Sequence, residues 1–97
     1  MRRAARIDLN QPDIVKVLRQ IGCSVHITSH VGCGFPDLVV GRNNRTMLME
    51  VKNGLLVPKE RQMRETQLFF VNEWRGHYAV ARDEQDAIDI VTEATCR

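Results

Sequence analysis

Residues 37–52 read DLVVG, RNNR and TMLMEVK in succession. Two apolar runs of strand length flank a polar tetrapeptide, and Asn tolerates the positive φ of a tight turn, so the stretch reads as a β-hairpin. DLVVG is short and nearly continuously apolar, as a buried central strand should be. Each run also carries an acid where a core strand would not want one. Asp37 opens the first run, Glu50 sits near the end of the second, and Lys52 follows two residues later. Residues i and i+2 of a strand share a face, so Glu50 and Lys52 project together while Val51 turns into the core. Pairing across the Arg42–Arg45 turn brings the start of one strand beside the end of the other. Asp37, Glu50 and Lys52 are therefore expected to converge.

The flanking sequence supplies helices. Pro12 suits the first turn of a helix and Asn10 suits its N-cap. Ile14, Val17, Leu18 and Ile21 recur at helical spacing until Gly22, which predicts a helix over 11–21. CSVHITS alternates with β-branched residues and predicts a strand over 23–29. HVGCG reads as a glycine loop, and residues 53–64 as a second loop. ETQLFFVNEWR predicts a helix ending before Gly76, HYAVA a strand, and Asp83 the cap of a last helix with Ala87, Ile88 and Val91 inward. The order α-β-β-β-α-β-α implies a mixed sheet flanked by helices in an α/β, mixed α+β fold.

The 97 residues make a single domain over 1–97, with no repeat or low-complexity tract. With 43% hydrophobic and 27% charged residues, the composition is that of a folded soluble protein. No apolar run reaches the roughly 20 residues of a membrane span. No signal-peptide core follows the basic opening MRRAARIDLN, so a cytoplasmic location is expected. Cys23, Cys33 and Cys96 are odd in number and widely spaced, which favours reduced thiols over a disulfide or a zinc site. A core this small would gain from burying further surface in a dimer.

Two carboxylates at about 4 Å repel by about 4 kcal/mol at an effective dielectric near 20. They stay ionised together only with a cation between them, and hard oxygens select Mg²⁺ or Mn²⁺. Such an ion can furnish a water nucleophile and neutralise a phosphodiester. Lys52 beside it could hold the water or the phosphate, or stabilise developing charge. Taken as generic residues, the same three side chains are better described as a salt bridge on an exposed sheet face.

Their spelling narrows the choice. GFPD followed after an apolar hairpin by Glu50-Val51-Lys52 resembles the PD-(D/E)XK nuclease superfamily. NQPDIVKVLR, GCGFPDLVVG, MLMEVKNG and TQLFFVNEWRGHYAVARDEQDAIDIV together resemble the small stand-alone VRR-NUC nucleases of phages and prophages, from about Ile7 to Val91. The resemblance implies a restriction-endonuclease-like core and metal-dependent phosphodiester hydrolysis. It implies Asp37, Glu50 and the Val51 carbonyl as ligands of Mg²⁺ or Mn²⁺, Lys52 as the catalytic lysine, and Gln67 as a further site residue. It also implies a homodimer acting on branched DNA such as four-way junctions, in repair or recombination, without a small-molecule cofactor or a membrane, in a bacterial host cell. An acid on the first helix often completes such sites. Gln11 stands at that position, on the inward face, where its carbonyl could ligate a metal without charge. Asp13 lies about 200° around the helix and reads as a first-turn acid favoured by the helix dipole.

Net charge is only +2. Arg42, Arg45, Lys59, Arg61 and Arg64 are candidate phosphate contacts, against the simpler reading of solvated loop charge. His26 reads as outward, and His30 as a residue that could reach the site. Gly32 and Gly34 would let the backbone approach it. Trp74, Phe69 and Phe70 could stack on bases, but helical packing is the better reading. The competing functions are a non-catalytic nucleic-acid-binding module and a nuclease for flaps, single strands or RNA.

Overall fold

The computed structural model of the chain describes residues 7–54 and 63–96. Lys59 and Arg61 lie outside the described residues. The elements are α1 (Gln11–Gln20), β1 (Ser24–Ile27), β2 (Leu38–Arg42), β3 (Arg45–Val51), α2 (Glu65–Glu73), β4 (Tyr78–Ala81) and α3 (Glu84–Ala94). This is the expected order and the expected mixed α+β class. The four strands form one sheet in the order β1-β2-β3-β4. The pairs β1–β2 and β2–β3 are antiparallel. The β3–β4 pair is parallel, as a connection that runs through a helix requires.

One sheet face is the core. Leu38, Val40, Met47, Met49, Val51 and Ala81 pack there against Ile14, Val15 and Leu18 of α1 and Ala87 and Val91 of α3. The inward stripe of α1 uses Val15 in place of the expected Val17, which is half-buried. Ile88 of α3 is likewise only half-buried. The end of α1 comes at Gly22, whose φ of 96° is left-handed. The Cys23 N–H donates to the Leu18 carbonyl and the Gly22 N–H to Arg19, closing a Schellman turn.

The hairpin turn forms as its sequence requires, with Asn43 and Asn44 both at positive φ, 54° and 63°. Its tip is clasped to the end of α3. Arg42 Nη1 donates to Thr95 Oγ1 at 3.0 Å, Asn43 Nδ2 to the Thr95 carbonyl at 2.9 Å, and Arg45 to the Cys96 carbonyl. The Asn43 amide thereby satisfies the C-cap carbonyl that the helix end leaves open.

The fold departs from expectation in two helix details. Asn10 stands at the N-cap of α1, but its side chain makes no cap bond. Its amide instead donates to the Arg82 carbonyl at 3.0 Å and the Lys52 carbonyl at 3.5 Å, tying α1 to the ends of β4 and β3. The aromatic residues of α2 divide rather than packing together. Phe70 lies edge-on to Phe35 and stacked on Trp74, at 5.4 and 5.5 Å between centroids. Phe69 is 69% exposed, and Leu68 and Trp74 are exposed too. The cause is geometric: α2 meets the second face of the sheet through Gln67 and Phe70, and among the described residues no further element packs on its outer side.

Candidate active site

The register of the hairpin builds the site. Leu38 pairs with Met49, which sets Asp37 opposite Glu50 at the end of the sheet. There Asp37 ends the ladder with its side chain: Oδ2 accepts the Val51 N–H at 2.9 Å. The Val51 side chain is buried in the core, as expected, while its main chain faces β2. N–H and C=O of one extended residue point to the same side, so the Val51 carbonyl projects toward Asp37 as well.

Glu50 and Asp37 are both buried, at 3% and 8% exposure, and Lys52 Nζ stands 3.6 Å from Glu50 Oε2. A surface salt bridge is therefore not what this trio is. Gln67, in the first turn of α2, closes the site from above. Its Nε2 donates to Glu50 Oε2 at 2.6 Å, while its Oε1 accepts from Lys52 Nζ at 3.1 Å and from the Arg64 N–H at 2.9 Å. Two donors on one side of the amide fix which way it faces. Gln67 thus joins the two strand residues to the start of α2.

The backbone gives α2 its place. Gly34 has a φ of 80° and packs so closely on α2 that a Cβ there would collide with the Thr66 carbonyl, one residue before Gln67. Beside it, Phe35 meets Phe70. Gly32 is also at positive φ but faces open space. His26 and His30 are both exposed.

Gln11 is buried as expected, and its amide engages Ser29: Nε2 to Oγ at 2.9 Å, with Oγ to Oε1 at 3.3 Å. Ser29 is set beside Asp37 by Thr28, whose N–H donates to the Asp37 carbonyl at 2.7 Å and whose hydroxyl donates to the Pro36 carbonyl at 2.8 Å. Asp13 is exposed in the first turn of α1, as its spacing implied.

Burial sets the electrostatics. Desolvation pushes the Glu50 carboxyl up to about 8, the negative charge of Asp37 adds to this, and Lys52 opposes it. Asp37 is also raised, first by burial. The Val51 N–H and the Ser29 hydroxyl pull it back, and the charge of Asp8 raises it further. Tyr78 is raised by burial and by the two carboxylates, which places its hydroxyl within their field. The site holds one more acid than ammonium and keeps that imbalance partly protonated.

This donor set fits a magnesium-type ion. Mg²⁺ is commonly held through one or two carboxylates with water completing its shell. Among the described residues no three His, Cys, Asp or Glu side chains gather as a ready multidentate site. Asp37 and Glu50, with the Val51 carbonyl, would be the protein's share of the shell.

Four residues of this neighbourhood carried no signal as site residues: Ser29, Thr28, Asp8 and Tyr78. Thr28 and Ser29 are buried hydroxyls at a strand end, a position where sequence suggests exposure. Among the basic candidates, Arg64 is exposed at the start of α2, adjoining the site. Arg42 and Arg45 lie at the opposite end of the hairpin, about 17 Å along the strands from Asp37 and Glu50, and donate to the end of α3.

No protein-family model matches the chain, and no curated protein or solved structure matches it.

Proposed function

We propose that the protein is a Mg²⁺- or Mn²⁺-dependent endonuclease that hydrolyses phosphodiester bonds in DNA. The observation that carries this reading is the convergence of buried Asp37 and Glu50, with Lys52 and Gln67, at one end of the sheet. Burying two acids for stability alone is unfavourable, because desolvation costs more than a single ammonium returns. Such an arrangement makes chemical sense when the missing positive charge is a ligand.

When bound, the ion would supply Lewis-acid charge at a phosphate and a water of lowered pKa. Asp37 would meet it with its carboxyl held in place by the Val51 N–H. Glu50 would surrender its proton on binding. Lys52, released from Glu50, would be a positive point charge for a phosphate oxygen or the developing oxyanion. Gln67 bonds both Glu50 and Lys52 and would keep them in register. Among the described basic candidates, Arg64, beside Gln67, is the best placed for a neighbouring phosphate. Arg42 and Arg45 keep further donors for the backbone of a long duplex.

Branched DNA, four-way junctions above all, is the substrate that the resemblance suggests, and a homodimer would make its two symmetric cuts. A cytoplasmic location accords with this reading. The alternative is a binding module without catalysis. It draws on the neutral Gln11 in place of an acid and on the engagement of Glu50 by Gln67.

The test is cleavage of labelled linear duplex, single strand, flap and four-way junction with Mg²⁺ or Mn²⁺. Metal-dependent cutting of the junction, abolished in folded Glu50→Ala and Lys52→Ala variants, is the expected result. Cutting of another substrate alone would keep the site and discard the junction. No cutting, or equal cutting by the variants, would leave the binding module.

A further inference from the structure

Gln11 is placed where it could ligate a cation, yet its amide is committed elsewhere. Both of its polar atoms lie on the Ser29 hydroxyl, at 2.9 Å for Nε2 and 3.3 Å for Oε1. A hydroxyl has one proton to give. The shorter contact uses it as an acceptor; the longer one directs that proton at Oε1, a 3.3 Å contact it can exchange for a second acceptor. The Asp37 carboxyl is the acceptor at hand: Thr28 sets Ser29 beside it, and Ser29 favours its charged form. Thr28 fixes the approach by gripping the carbonyls of Pro36 and Asp37. All three side chains are buried.

We propose that Gln11 and Ser29 are positioning residues: Gln11 Nε2–H donates to Ser29 Oγ, and Ser29 Oγ–H donates to the Asp37 carboxylate. The inference rests on the divalent-cation reading of the site. A glutamine does here what a glutamate could not, because a carboxylate has no proton to send along the chain. Asp37 is thereby held from two sides, by Ser29 and by the Val51 N–H. Gln11 acts through Ser29 and contributes no ligand of its own. Outer partners of this kind change metal affinity by about 10- to 100-fold.

Mn²⁺ binding to the purified protein, read by calorimetry or by the paramagnetic signal of free Mn²⁺, tests this without DNA. Ser29→Ala and Gln11→Met are each expected to weaken binding about 10-fold. The double variant should weaken it no further, since both break one chain. Ser29→Thr, which keeps the hydroxyl, should bind like wild type. Asn43→Ala, which loosens the distant hairpin tip, controls for lost stability and should leave Mn²⁺ affinity unchanged. If Gln11 were itself a ligand, Ser29→Ala would free it, and binding would stay equal or tighten; that result overturns the proposal. Additive losses in the double variant overturn it too. Wild-type protein that takes up no Mn²⁺ fails the cation reading itself, a different outcome from wrong behaviour of the variants.

Discussion

At Glu50 a single side chain couples stability to pH. Its folded-state carboxyl is pushed up to about 8, above its ordinary value of 4.5. For an acid shifted upward, the folded state is favoured while the group is protonated, and that advantage is lost as pH rises through the folded value. Metal-free protein should therefore be more stable near pH 5.5 than near pH 9, by a few kcal/mol at most, as urea titrations at the two pH values would show. Glu50→Gln should flatten that difference and raise stability at pH 9. Divalent-cation affinity should run the other way, rising with pH toward 8, because binding displaces the proton. Arg42 supplies a contrasting case. Its bond to Thr95 is part of the fold, so Arg42→Ala should cost about 1 kcal/mol of stability in chemical denaturation. Nucleic-acid affinity should respond more to Arg64→Ala, whose side chain is exposed next to Gln67.

The helices differ in how firmly they are held. Residues of α1 and α3 fill the core, whereas α2 has no buried residue. Amide hydrogen exchange should accordingly be faster throughout α2 than in either partner, since local stability follows buried contact. Gly34→Ala is expected to speed it further and to cost at least 1–2 kcal/mol, roughly, because the added methyl meets Thr66 and the positive φ disfavours it. The sequence made some of these elements legible and hid others, for physical reasons. The hairpin could be read because Asn43 and Asn44 announce its turn and strand alternation then dictates where Glu50, Val51 and Lys52 point. Asp37, Glu50, Lys52 and Gln67 could be brought together by that register and by the resemblance. The use of Asn10 across the chain could not be read, since a good cap residue is equally a good long-range donor. Nor could the exposure of Phe69, which depends on how many layers cover α2 and so on the whole fold. Ser29 was hidden because its partner Gln11 comes from a helix before the first strand and Asp37 from across the glycine loop.

Over the whole molecule, the structural clasp and the candidate site sit at opposite ends of one hairpin. The tip is tied to the end of α3, and the open end carries the acids. Among the described residues no helix is long and apolar enough to cross a membrane. A cation that binds only the folded chain should raise its stability by about 2.7 kcal/mol at 100 times its Kd, a shift of several degrees in Tm. Glu50→Ala should abolish that shift, which thermal scans with and without Mn²⁺ can check. The aromatic cluster of α2 has an optical consequence. Trp74 is the only tryptophan in the sequence. Its ring stacks on Phe70, and Phe70 in turn lies 6.5 Å from Tyr78. Gln67 rides on the same short helix. The molecule thus carries its own fluorophore at the end of the element that touches Glu50, and any ligand that displaces Gln67 should be seen as a change in tryptophan emission, with no label attached.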